Sequence, residues 1–327
     1  MKKKLLSFLM ASLMLLSFSA CKDNNSGKKV IAIVQIMDHP SLNEIRDSII
    51  SELKADKTFE YEIIQKDGNA NQNQLASIYS DLLSRGVDMI IPIAAPTAQA
   101  ALSAMEAADK KEIPVVFSAV STPVESGVVT NLEKPEGNFT GVSDAIPVEK
   151  IIDLAIELDP ELETFGFLYN PSETNSLTAV NKAKEYCKSK SIEYKEATVA
   201  TGADVQQAAA SLAKDVDAFF TPDDNTVASA MAIYAQTARE NKKPIYCGAD
   251  SMVKDGGFAT IGVNYTELGK KTAQMALKIL GGAKIEDTPV EVITEYSHII
   301  NENTAEQIGF DISDEIKAKF TLVQDTE

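Results

Sequence analysis

The residues of this chain that could do chemistry fall in seven short loops, each following an apolar, β-rich run. They are residues 38–41 (Asp-His-Pro-Ser), 94–97 (Ala-Ala-Pro-Thr), 118–121 (Ser-Ala-Val-Ser), 170–175 (Asn-Pro-Ser-Glu-Thr-Asn), 222–226 (Pro-Asp-Asp-Asn-Thr), 248–251 (Gly-Ala-Asp-Ser) and 264–265 (Asn-Tyr). Their side chains are hydroxyls, amides and carboxylates, and none carries lysine or arginine. Acids and neutral donors at helix starts suit a zwitterion: an ammonium group on carboxylates, and a carboxylate on hydroxyls and helix N-termini. Phosphate or sulfate would suit such a site less well. Asp144, in the segment 141–146, and Asp250 are the expected ammonium partners. Thr97, Ser118 and the backbone at Ala119 are the expected carboxylate donors. Asp38, Ser172, Asn175, Asp223 and Asn225 complete the candidate ligand-binding set. Any one of these residues also reads as an ordinary helix cap or surface acid. Thr97 and Asn225 stand out because both halves of the chain repeat the pattern at equivalent strand ends.

Signatures of an enzyme are missing. There is no G-x-S-x-G elbow, no H-E-x-x-H helix and no P-loop, and neither His39 nor His298 has a metal-ligand neighbour. No catalytic residue, metal or cofactor is expected. Adjacent Asp223 and Asp224 read as helix caps, and His39 as lining the pocket or packing its loop.

The elements that must hold these loops follow from periodicity. Strands are predicted at 30–36, 61–65, 89–93 and 115–118. Helices between them include one that begins with a Ser41/Glu44 capping box and buries Leu42, Ile45, Ile49 and Leu53 on one face. A second series runs from a helix at 148–158 through strands at 165–169, 192–197, 218–220, 245–247 and 259–263, with a long helix at 227–240. An amphipathic helix at 265–280 and a strand at 290–296 follow. Such alternation predicts an α/β fold: two doubly wound Rossmann-like lobes with the ligand cleft between the strand carboxyl ends. Phe117, Tyr169, Phe220 and Tyr246 lie on predicted strands and are expected in the core.

The chain begins with three lysines, Lys2 to Lys4, then an apolar run at 5–18, then Ser19-Ala20-Cys21 and a polar stretch. This reads as a signal peptide over residues 1–20, too short for a membrane span. The small residues before Cys21 resemble the lipobox of bacterial lipoproteins, so Cys21 is the expected lipidation site, with 21–29 as the tether. The 31 basic against 48 acidic residues, net −17, argue against nucleic-acid binding or anionic-membrane binding through the body. Cys187 and Cys247 are expected as buried free thiols, with a disulfide between them as the alternative.

Five motifs, in this order and spacing, resemble the ABC-transporter substrate-binding proteins of the tryptophan/tyrosine (aromatic amino acid) type, with the type I periplasmic-binding-protein fold. They are Asp38-His39-Pro40; residues 117–123 (Phe-Ser-Ala-Val-Ser-Thr-Pro); residues 141–144 (Gly-Val-Ser-Asp); residues 169–176 (Tyr-Asn-Pro-Ser-Glu-Thr-Asn-Ser); and residues 221–227 (Thr-Pro-Asp-Asp-Asn-Thr-Val). The resemblance covers roughly 30–320. It implies lobe 1 at 30–142 plus 264–287 and lobe 2 at 143–263 plus 288–327, with hinges near Val142, Val263 and Thr288. It also implies an amino-acid ligand (Trp, Tyr or Phe), an ABC permease as partner, a monomer, and an extracytoplasmic site reached from the membrane only through the lipid anchor. A sugar or nucleoside ligand, and a sensor that presents its ligand to a receptor, remain open alternatives.

Overall fold

A computed structural model describes residues 27–110 and 112–326, so the expected signal peptide and the expected lipidation site at Cys21 lie outside the described residues. The first series is β1 (Lys28–Gln35), α1 (Pro40–Ala55), β2 (Glu60–Asp67), α2 (Gln72–Arg85), β3 (Met89–Ile93), α3 (Ala95–Ala108), β4 (Val115–Ser118) and β5 (Phe139–Ser143). In the second, α4 (Val148–Leu158), β6 (Thr164–Tyr169), α5 (Thr174–Lys190), β7 (Glu193–Thr198), α6 (Val205–Leu212) and β8 (Ala218–Thr221) come first. Next are α7 (Asn225–Ala228), α8 (Met231–Glu240), β9 (Ile245–Cys247), α9 (Asp250–Lys254), β10 (Ala259–Val263) and α10 (Tyr265–Leu280). The tail adds β11 (Glu291–Val292), β12 (Tyr296–Asn301), α11 (Glu302–Ile308), α12 (Asp314–Lys319) and β13 (Thr321–Val323).

These strands form two sheets, ordered β11-β5-β4-β3-β1-β2 and β13-β12-β10-β9-β8-β6-β7. The only antiparallel pair among the described strands is β10 with β12. A parallel sheet is covered on both faces, and accordingly Ile31 to Val34 of β1 and all of β3 and β4 are buried runs rather than alternating ones. Phe117, Phe220 and Tyr246 are fully buried, and Tyr169 nearly so. In the second lobe the rings meet edge to face, Phe167 with Phe220 at 5.9 Å and Tyr246 with Phe258 at 5.7 Å. Cys187 and Cys247 are free and buried, so the alternative disulfide is not formed.

The chain crosses between the lobes three times: after β5, at Asn264, and between β11 and β12. The third crossing departs from the sequence reading, which assigned everything from 288 onward to the second lobe. Glu291 and Val292 instead pair with Val142 and Ser143 in the first sheet, and the chain leaves for the second sheet only after Val292. Two residues are too few to show a period. The expected helix at 227–240 is also broken, because Ala230 adopts φ −118°, ψ 20° between α7 and α8.

Helix α1 differs from its expectation at its start. It begins at Pro40 with His39 as N-cap and no side-chain cap, so Ser41 and Glu44 form no capping box. Both side chains reach outward to other elements. The same stripe of α1 packs against α10, where Thr266 donates to Glu44 at 2.6 Å, and the approach is close enough to require Gly269: a Cβ there would lie 2.7 Å from both the Ile45 carbonyl and the Ser48 Cβ. Gly269→Val should therefore lower the thermal midpoint by roughly 2–10 °C through overpacking, measured by calorimetry; an unchanged midpoint would show that the two helices can separate freely.

Candidate ligand-binding site

The loops after β4, β5 and β8 bring two carboxylates and one hydroxyl together across the lobe interface. Ser121, after β4, places its Oγ 2.8 Å from Asp144 Oδ1 and within hydrogen-bond reach of Asp223 Oδ2. Asp144 sits on the first crossing and is 2 % exposed; Asp223 follows β8 in the other lobe and is 9 % exposed. Gly248 lets the loop after β9 pack against the Asp223 loop within the second lobe, since a Cβ there would stand 2.8 Å from the Asp223 backbone nitrogen. A serine hydroxyl has one proton to give, and two carboxylate oxygens compete for it. Among the described residues no lysine or arginine pairs with either acid.

The electrostatic result is a site that wants a cation. Burial pushes Asp144 up to about 6; burial and the Asp144 charge push Asp223 well above the usual carboxylate range. Asp223 Oδ1 is buried and has no hydrogen-bond partner among the described residues. The Tyr265 hydroxyl, just past the second crossing, donates to Asp144 Oδ2 at 3.4 Å. The third crossing touches the same place through the Tyr296 hydroxyl on the Ala145 carbonyl at 3.5 Å.

A third buried acid close by is fully satisfied. Glu173, in the loop after β6, accepts from the Asn225 and Thr226 backbone nitrogens at 2.9 Å, from Asn225 Nδ2 at 2.6 Å and from Thr226 Oγ1 at 2.7 Å. Its carboxylate closes the start of α7. Asp224 is likewise held by the Asn170 and Val227 backbone nitrogens and by Ser176 Oγ. Asn225 Oδ1 then looks across to His39 Nε2 in the first lobe at 3.4 Å. A second interlobe cluster joins Ser41 to Ser251 at 2.8 Å and Glu44 to Lys254 at 3.3 Å.

A model of the family described as ABC transporter substrate binding protein matches residues 30–323. The chain belongs to that family. It is 35% identical over 319 residues to a tyrosine-binding protein of Clostridioides difficile (strain R20291), spanning 92% of this chain and 91% of that one. Its structure resembles an ABC domain in complex with L-Trp from Streptococcus pneumonia, with a TM-score of 0.84 at 32% identity over 90% of this chain and 99% of that one. Against the ligand-free, open structure of a substrate-binding protein with adhesive properties from Clostridium difficile the TM-score is 0.69 at 34% identity, over 91% and 100%. The contacts between the lobes, Ser121 with Asp223, His39 with Asn225 and Ser41 with Ser251, hold this substrate-binding protein closed. Its two parallel-sheet lobes have the type I periplasmic-binding-protein fold.

Within this closed substrate-binding protein the residues expected from sequence divide sharply. Asp144, Asp223 and Asn225 meet at the lobe interface, and Asn175 supports them by donating to the Asp223 carbonyl at 2.8 Å. Asp250 does not join the acid pair: Lys254, one helical turn on, already holds it at 2.9 Å. Thr97 spends its hydroxyl on the Ile93 and Ala94 carbonyls, and Ser118 pairs with Thr272 inside the first lobe, so neither hydroxyl is free for a ligand. Asp38 and Ser172 are exposed, Asp38 taking a hydrogen bond from Asn43 and the Ser172 backbone donating to Asn170. Ala119 is buried in a left-handed conformation, φ 54°, as is Ala94 at φ 78°. Ser121, Tyr265 and Glu173 join the site although the expected ligand set did not name them; all three lie in loops already singled out, at 118–121, 264–265 and 170–175.

The buried acid pair has a stability signature. Asp223 titrates near 3.8 in the unfolded chain and well above it in the folded one, so its ionisation costs stability at neutral pH and nothing below its unfolded value. Asp223→Asn is expected to raise the thermal midpoint of the ligand-free protein by a few degrees at about pH 7.5, with the gain fading toward pH 4. A lower midpoint at neutral pH would contradict the electrostatic account.

Proposed function

We propose that this protein is the lipid-anchored, extracytoplasmic receptor of an ABC importer, and that it holds an aromatic amino acid between its lobes. One observation carries the ligand reading: Asp144 and Asp223, buried on opposite sides of the interface, share a single hydroxyl proton and lack a cation. The ammonium group of an amino acid supplies that charge and bonds the unpartnered Asp223 oxygen. The carboxylate end turns toward the first lobe, where the start of α3 leaves the Ala95 and Thr97 N–H groups without intrahelical partners and Ala119 adds backbone polarity. The second lobe has no equivalent vacancy, since Glu173 fills the start of α7. The aromatic class follows the relatives, one a tyrosine-binding protein and one a complex with L-Trp. Binding across the interface stabilises the closed form, which a membrane permease then engages. Anchoring at Cys21 and removal of residues 1–20 rest on the lysines, apolar run and small residues that precede that cysteine; a monomer with two lobes and no cofactor completes the proposal. Among the described residues no helix is long and apolar enough to cross a membrane.

The protein contains no tryptophan, so added L-Trp is the sole indole fluorophore and its titration is direct. Saturable binding of L-Trp, L-Tyr or L-Phe is expected, and Asp144→Asn or Asp223→Asn should weaken it by about 100-fold. A saturable sugar or nucleoside response with no response to amino acids would overturn the ligand class. Wild-type affinity should fall as pH drops through about 6, where Asp144 takes up a proton and the ammonium loses that partner; isothermal titration at several pH values checks this, and a flat profile speaks against it. In cells, Cys21→Ser should abolish labelling by radioactive palmitate and release the protein from the membrane fraction, whereas unchanged labelling would place the anchor elsewhere.

A further inference from the structure

His39 presents a nitrogen that nothing in the closed interface satisfies, and a run of contacts beginning at Glu173 determines its chemistry. Four donors converge on the Glu173 oxygens, so those oxygens act only as acceptors and Asn225 must turn its Nδ2 toward them. The other end of the amide, Oδ1, therefore faces His39 Nε2 at 3.4 Å. Two lone pairs at that separation would repel, which puts the imidazole proton on Nε2. Nδ1 is left as a bare acceptor on a ring only 5 % exposed, and no described residue donates to it. Burial lowers the ring's pKa to about 4, and it stays neutral at physiological pH.

We propose that His39 Nδ1 accepts a hydrogen bond from the distal end of the ligand's side chain, so that the receptor selects a phenol O–H or an indole N–H over the bare ring of phenylalanine. This rests on the aromatic amino-acid reading above. Proximity supports the distal assignment: Asn225, which faces His39, lies two residues from Asp223, so one ligand held at Asp223 extends to the neighbourhood of His39. Ammonium on Asp223 and a donor on His39 then fit opposite ends of one ligand. Discrimination follows because a ligand without the donor leaves a buried acceptor unpaired, the arrangement by which binding sites reject analogues most strongly.

The test titrates the wild type, His39→Leu and His39→Asn with L-tyrosine, O-methyl-L-tyrosine and L-phenylalanine, with circular dichroism as the check on folding. Wild type should prefer L-tyrosine over both analogues by roughly 10- to 100-fold. In His39→Leu the preference should collapse to within about 3-fold while L-phenylalanine affinity barely moves. His39→Asn, whose Oδ1 stands close to where Nδ1 was, should recover part of the preference, and it alone decides the matter if His39→Leu fails to fold. Equal loss for all three ligands, or a wild type that does not discriminate, overturns the proposal while leaving the aromatic reading intact. A wild type that binds neither these three nor L-tryptophan refutes that parent reading and this inference together; one that binds L-tryptophan alone overturns this inference for the phenol and leaves the parent reading standing.

Discussion

A single hydroxyl proton between two buried carboxylates is the constraint around which the closed molecule is organised. Neither Asp144 nor Asp223 can be relieved within its own lobe: one rides on a crossing strand, the other projects from the opposite sheet, and Ser121 can satisfy only one of them fully. All three crossings report to this point, since Asp144 lies on the first, Tyr265 just past the second, and Tyr296, beyond the third, reaches Ala145. Anything that changes the charge there is therefore felt where the lobes bend. A charge mismatch deep in the body would only weaken the protein; placed among the hinges, it gives the two lobes a reason to respond to what lies between them.

Buried acids in this protein come in two kinds, those that the surrounding donors satisfy and those that they do not. Glu173 and Asp224 are surrounded by donors and brace the loops after β6 and β8. Asp250 has its own lysine. Asp144 and Asp223 have neither enough donors nor a counter-ion, although the chain as a whole is strongly acidic and could have spent its lysines there. The unsatisfied oxygen is thus more informative than the number of acids.

Much of the architecture was legible because a parallel sheet covered on both faces forces long buried runs, and these are visible in β1, β3 and β4 as written. The loops that carry the site were legible for the same reason, as polar punctuation after apolar strands. What stayed hidden was pairing over distance. Glu173 fills the start of α7 from a loop 52 positions away, so the symmetry seen between Thr97 and Asn225 did not carry over into the fold. Thr97, inside the first turn of α3, bonds back to Ile93 as hydroxyls in helices often do. Asp250 could have been read correctly, since Lys254 stands four residues away on the same short helix. The last crossing was displaced because β11, with two residues, has no pattern to read.

Ala94 and Ala119 end neighbouring strands in left-handed conformations that glycine would adopt without penalty. Each alanine costs roughly 1 kcal/mol or more in the folded state. What it gives in exchange is stiffness: a Cβ removes the many other shapes that a glycine loop would sample, so the peptide groups beside the first-lobe helix keep their aim in the empty receptor as well as the full one. The rim proposed to receive the ligand's carboxylate is in this sense built before any ligand arrives, and the entropy of arranging it is settled at folding rather than at binding.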